Sequence, residues 1–203
     1  MNLPNRITLA RIIMIPVYMF FAFPFPDFMP YLGFVTDYKL IFALVIFVVA
    51  SLTDMLDGKI ARKRNIVTDF GKFLDPIADK LLVTVALLSL TLVSKYYIWA
   101  TMIVLTREFA VTGMRLIAAS RGKVIAAGKS GKLKTLTQCI ALITLLTAWA
   151  ARDSFPSVPV ILTISTVIFW AGNIILVFSV IMTIYSGCEY FVKNKDLFKK
   201  DEM

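Results

Sequence analysis

Two pairs of aspartates set the chemistry available to this sequence. Asp54 and Asp57, three apart, end an apolar run of fourteen residues, Leu40 to Thr53, and Asp75 and Asp79, four apart, precede another. Residues at these spacings share one face of a helix, so each pair aims its carboxylates one way. Four such anions in a small volume need cations, because a bare buried carboxylate is costly and neighbouring ones repel. A divalent metal answers both difficulties. The chain has no histidine and only two cysteines, Cys139 and Cys188, so a metal must be held by oxygen, which favours Mg²⁺ or Mn²⁺. The same deficit excludes a Ser-His-Asp triad, a Cys-His pair and a His/Cys zinc site, and two lone cysteines make no disulfide framework. Gly58 leaves a helix surface bare for a ligand, and Arg62, one turn on, can reach a phosphate. Asp75, directly before Pro76, suits a helix start equally well.

The elements that must position these groups belong to a membrane protein. Hydrophobic residues make up 59% of the 203 positions, charged ones only 17%, and the mean hydropathy is +0.79, which does not suit a soluble domain. The length holds about six spans of ~20 residues, and one bundle domain over residues 1–203 is the economical count. Apolar stretches fall at about 7–26, 38–56, 78–95, 97–119, 135–151 and 158–187. Their length and the lack of period-two alternation predict helices rather than barrel strands, hence an all-α, six-transmembrane-helix bundle. The short break at Ser94 to Tyr97 predicts a helical hairpin, and a loop is expected around Lys63 to Lys72. The opening MNLPNRITLARIIMIPVYMFFAF is expected to be retained, since Pro24, Phe25 and Pro26 stand where a small-x-small cleavage site would.

Lys and Arg fix the orientation. With the N-terminus inside, one face carries most of them, including Arg6, Arg11, Lys59, Arg62, Lys63, Arg64, Lys72, Arg121, Lys123, Lys129, Lys132, Lys134 and the tail lysines, and the other keeps only Lys39, Lys95 and Arg152. Both termini are therefore expected in the cytoplasm, in a multi-pass protein of the cell membrane. The net charge of +9 then lies where anionic lipid headgroups and phosphorylated solutes are attracted, and nucleic acid is not expected as a partner. Fourteen residues lie between Asp54 and the outer end of the second span, and fourteen, Leu81 to Ser94, between Asp79 and that of the third. At ~1.5 Å each, both counts give about 21 Å of a ~30 Å hydrocarbon layer, a common level just below the cytoplasmic interface.

The stretch DMLDGKIARKRNIVTDFGKFLDPIAD reads D-x2-D-G-x2-A-R-x8-G-x3-D-x3-D, with Asp54, Asp57, Gly58, Ala61, Arg62, Gly71, Asp75 and Asp79 at its eight fixed positions. It resembles the signature of the CDP-alcohol phosphotransferases. The resemblance implies six transmembrane helices, a homodimer, and two Mg²⁺ or Mn²⁺ ions bound by the four aspartates, with Asp79 also the general base and Asp75 beside it in the catalytic set. It further implies a CDP-diacylglycerol site with Asp54, Gly58, Ala61, Arg62, Gly71 and Thr68, and with Asn5 and Thr8 of the opening NLPNRITLAR. A lipid donor also accounts for the depth of the aspartates.

The choice of acceptor rests on residues 106–138. About ten apolar residues separate Arg107 from the outer end of the fourth span, which puts Arg107 and Glu108 about 15 Å in, where they either neutralise each other or partner other helices. Arg115 lies seven residues beyond Glu108 on nearly the same face, and Lys132, Lys134, Thr135 and Gln138 open the fifth span. A pocket of Arg107, Arg115, Lys132, Lys134, Thr135 and Gln138 would suit a phosphorylated alcohol, although positive-inside flanking explains the lysines as well. Within the family, R-E-x4-G-x-R followed by G-K-x-K-T-x2-Q is similar to the phosphatidylglycerolphosphate synthases, which implies sn-glycerol 3-phosphate as acceptor. The alternatives are another acceptor (phosphatidylglycerol, serine or inositol phosphate) or a divalent-cation transporter, against which the apolar halves of the spans stand. The lysine-rich tail is read as a solvated end attracted to anionic membrane lipids.

Overall fold

A computed structural model of the chain describes the backbone of residues 3–24, 33–64, 69–122 and 128–195, with side chains for all of these except 3–8, 33–37, 54–76, 79 and 129. Every regular element among them is a helix: α1 (Leu3–Ala22), α2 (Gly33–Arg64), α3 (Asp69–Leu90), α4 (Tyr97–Ser120), α5 (Lys129–Ser154) and α6 (Pro159–Lys193). At their charged ends α2, α3, α5 and α6 outrun the apolar stretches, because hydropathy ends where charge begins, whereas Lys, Arg and Asp side chains leave the backbone ladder intact; α1 and α3 stop short of the expected stretches at their C-terminal ends. Two expectations are corrected. The loop around Lys63 to Lys72 is shorter, since α2 continues to Arg64 and α3 begins at Asp69. Asp75 and Pro76 lie within α3, well past its start, so Asp75 is not a cap.

Turns account for the connections. After Leu90 the chain bends through Thr91 N–H to Leu88 O (3.0 Å), Leu92 N–H to Ser89 O (3.1 Å) and Val93 N–H to Leu90 O (2.9 Å), and Tyr97 N–H to Ser94 O (3.2 Å) starts the return. This is the expected hairpin of α3 and α4, but α3 ends four residues short of Ser94, so the rise of an α-helix does not apply over that last stretch. Gly122, at φ 70°, takes the left-handed position that closes α4. Pro159 opens α6 at a position where the missing N–H costs no helical bond.

The most extensive packing joins α5 to α6; α1 lies against α2 and α3, α2 also against α5, and α4 against α3 and α6. On α6 the buried Ser165, Gly172, Ser179 and Ser186 recur every seven residues, a stripe of small side chains that lets backbones approach. Val160, Val167, Trp170, Ile174 and Val177 are exposed, forming an apolar outer surface that suits lipid rather than water. Among the described residues Ser130–Ser154 and Pro159–Lys193 are long and apolar enough to cross a membrane. Polar ties cross the core: Tyr18 Oη and Ser89 Oγ join α1 to α3 at 2.7 Å, and Tyr97 Oη donates to Asn173 Oδ1 at 2.9 Å between α4 and α6.

Gly172 marks the tightest approach. A Cβ there would stand 2.8 Å from Leu145 Cγ and 3.3 Å from its backbone N, and Leu145 is itself fully buried. Gly172→Ala is therefore expected to destabilise the bundle by about 1–3 kcal/mol through overpacking. Thermal unfolding of the detergent-solubilised protein checks this, and an unchanged midpoint would mean that the helices can move apart freely.

Candidate active site

All four aspartates stand on helices. Asp54 and Asp57 belong to α2 with Gly58, Ala61 and Arg62, and Asp75 and Asp79 to α3 with Gly71. On a continuous helix the first pair is about 60° apart around the axis and the second about 40°, so each shares a face. Their side chains, like those of Asn5 and Thr8 on α1, lie outside the described residues, as does Thr68 altogether. Among the described residues no group of three His, Cys, Asp or Glu side chains converges. The donor set itself fits a hard cation: four carboxylates in two helical pairs, in a chain without histidine.

The described side chains reveal a polar cluster centred on one turn of α4. Glu108 Oε1 accepts from Lys134 Nζ of α5 and, at 3.0 Å, from Arg107 Nη1. Arg107 Nη2 donates to Ser186 Oγ of α6 at 3.0 Å. Its aliphatic stem runs past Gly187, where a Cβ would come within 3.2 Å of Arg107 Cγ. One turn along α4, Thr112 Oγ1 donates to Glu108 O at 2.7 Å and accepts from Lys80 Nζ of α3. A single turn thus tethers cations from three helices, which repays the burial of each.

A cleft of about 30 Å³ opens against this cluster, its polar lining being Lys80, Thr84, Glu108, Lys134, Thr135 and Gln138, with Val83 and Val104 between them. Asp79 immediately precedes Lys80, and Val83 follows it by one helical turn. The cleft therefore adjoins the helical turn that carries the last aspartate.

The six residues expected around an acceptor divide in three. Lys134, Thr135 and Gln138 line the cleft. Arg107 reaches it only through Glu108. Arg115 turns to α6, its Nε donating to Tyr190 Oη at 3.3 Å and its guanidinium 5.5 Å from that ring's centre, while Lys132 is exposed. Sequence reasoning missed Lys80, Thr112, Ser186 and Tyr190; of its two alternatives for Arg107 and Glu108, mutual neutralisation and partners on other helices, the structure shows both. A second tie steadies the same end of the bundle: Ser130 Oγ of α5 donates to Glu189 Oε2 of α6 at 2.5 Å, and Lys193 pairs with Oε1.

A helical bundle with an apolar outer surface and an ionic cluster held between its helices is the arrangement of a membrane protein. Residues 1–185 match the family model of CDP-alcohol phosphatidyltransferases. The chain is 41% identical to the CDP-diacylglycerol–glycerol-3-phosphate 3-phosphatidyltransferase of Bacillus subtilis, over 98% of this chain and 97% of that one. It is 38% identical to the enzyme of that name from Rickettsia typhi (97% and 99% covered), and 33% identical to a probable phosphatidylglycerophosphate synthase of Mycobacterium tuberculosis (95% and 81%). The chain belongs to the CDP-alcohol phosphatidyltransferase family.

Proposed function

We propose that this protein transfers a phosphatidyl group from CDP-diacylglycerol to sn-glycerol 3-phosphate, giving phosphatidylglycerolphosphate and CMP in phospholipid biosynthesis. The observation that carries the reading is the cleft of Lys80, Glu108, Lys134 and Gln138 beside the α3 turn of Asp79. A phosphorylated acceptor needs cations held close to the base that activates its hydroxyl, and two lysines in a cleft next to the α3 turn of Asp79 support that reading. An uncharged acceptor would leave the lysines without a substrate role. The near-full-length similarity to phosphatidyltransferases supports the same donor and acceptor.

In this reading the chain is one domain of six membrane-crossing helices in the cell membrane. It works as a homodimer, with both termini and the site in the cytoplasm, as the distribution of Lys and Arg favours. Asp54, Asp57, Asp75 and Asp79 would hold two Mg²⁺ or Mn²⁺ ions, which supply positive charge to the donor's pyrophosphate when bound. Arg62 and Thr68 would hold the cytidine diphosphate moiety, with Gly58, Ala61 and Gly71 leaving room for it and Asn5 and Thr8 adding to the same donor site. Lys134, with Lys132 and Arg115 nearer the cytoplasm, attracts the acceptor's phosphate. Asp79 takes the proton from the attacking hydroxyl. That oxygen then bonds to the phosphorus bearing diacylglycerol, and the bond from this phosphorus to the bridging oxygen breaks, releasing CMP.

With labelled sn-glycerol 3-phosphate and CDP-diacylglycerol, the purified protein is expected to yield labelled lipid and equimolar CMP. EDTA should lower the rate by at least about 10³-fold, and excess Mg²⁺ or Mn²⁺ should restore it. Turnover that survives EDTA and prolonged dialysis would remove the metal from the mechanism.

A further inference from the structure

The cleft beside Asp79 contains two polar groups that the protein leaves unused. Gln138 is 2% exposed, and its Nε2 has no hydrogen-bond partner among the described residues. Both cations at Glu108 take the same oxygen, Oε1, so Oε2 accepts no hydrogen bond from the described residues. The unpaired donor and the unpaired acceptor thus belong to two residues that line one space of about 30 Å³, room for one or two water-sized groups. A buried amide N–H left unpaired is costly, and its place at a cleft rather than in closed packing points to a ligand atom as its partner.

We infer that this cleft receives the secondary hydroxyl of the acceptor, with Gln138 Nε2 donating to its oxygen and Glu108 Oε2 accepting its proton in a hydrogen bond. A hydroxyl is the smallest group that both accepts and donates, and it matches the pair where a bare phosphate oxygen, which cannot donate to Glu108, does not. The position agrees: in a glycerol phosphate the secondary hydroxyl lies between the reacting primary hydroxyl and the phosphate, and the cleft starts one residue past Asp79 and includes Lys80 and Lys134. Gln138 and Glu108 then act as specificity-determining residues, and Arg107 and Lys134 position the Glu108 carboxylate by fixing Oε1. This inference rests on the acceptor reading above and adds to it the group that is read.

The test compares sn-glycerol 3-phosphate with 3-hydroxypropyl phosphate, which keeps the primary hydroxyl and the phosphate but lacks the secondary hydroxyl. The native protein is expected to prefer the first by at least about 100-fold in kcat/KM, because a site built to bond a hydroxyl is left with unpaired groups by the analogue. In Gln138→Leu the preference should fall to below about tenfold, chiefly through slower use of sn-glycerol 3-phosphate. The preference is a ratio within each preparation, so a partly unfolded variant does not distort it. Gln138→Met, whose unbranched chain fills the gap differently, should behave alike. A native preference near one, or one unchanged in both variants, would overturn the inference while leaving the acceptor reading intact. No CMP release with either alcohol would bring down the acceptor reading and the inference with it.

Discussion

Asp79→Asn is expected to lower CMP release by at least about 10³-fold without loss of the folded protein from the membrane. The amide is nearly isosteric with the carboxylate but cannot take a proton from the acceptor, and a general base alone contributes about 10²- to 10⁴-fold. It is also a neutral, weaker ligand for a hard cation. Asp54→Asn, on the other helix, should have a comparable effect through the second cause alone. The two variants differ in one respect that separates the roles: raising Mg²⁺ should partly rescue Asp54→Asn and leave Asp79→Asn inactive. Activity within tenfold of the native protein in both variants would remove the aspartates from the reaction.

Lys134→Ala carries the second large effect, and it is double. Lys134 is 3% exposed and bonded to Glu108, so its removal leaves a carboxylate with Arg107 alone and should destabilise the bundle by about 3 kcal/mol. The acceptor KM should rise about 10- to 100-fold while the donor KM moves less than about threefold, as loss of a ground-state phosphate contact requires. Lys132→Ala, two residues away and exposed, should leave stability within about 0.5 kcal/mol of native. Substrate kinetics together with thermal unfolding of both variants decide the matter. Equal rises in donor and acceptor KM for Lys134→Ala would move this lysine from the acceptor to the donor or to topology alone.

The contrast between those lysines is legible in their spacing. Positions two apart on a helix point about 200° from each other, whereas Lys134 and Gln138, four apart, share a face. A helical projection of GKLKTLTQ therefore separates Lys132 from Lys134 and Gln138, although Thr135, which also lines the cleft, lies only about 60° from Lys132. The apolar stretches likewise revealed the helices and the hairpin of α3 and α4, though with its break at Ser94 to Tyr97 rather than from Leu90, because long hydrophobic runs without alternation favour helices in lipid. The ends were less legible: α2 runs through the charged DGKIARKR to Arg64, and nothing in hydropathy reports where a hydrogen-bond ladder stops. Asp75-Pro76 resembled a helix start locally, yet α3 begins at Asp69.

Pairings between helices were out of reach for a different reason. Lys80 with Thr112, Arg107 with Ser186 and Lys134 with Glu108 lie 32, 79 and 26 positions apart, and only the packing of α3 and α6 against α4, with α5 held beside them on α6, brings them together. The small residues Gly131 and Gly187, which border Arg107, were a usable signal. Their role becomes visible only once the arginine is known to pass between α5 and α6.

CMP release by the purified protein from CDP-diacylglycerol and Mg²⁺ should be measured with sn-glycerol 3-phosphate, glycerol, serine, inositol phosphate and phosphatidylglycerol in parallel. Release with sn-glycerol 3-phosphate, at a rate at least about 100-fold above every other alcohol, is the expected result. Preferred release with a different alcohol would contradict the assignment of the cleft beside Asp79 to a glycerol phosphate, and release with none would contradict the phosphatidyl transfer itself.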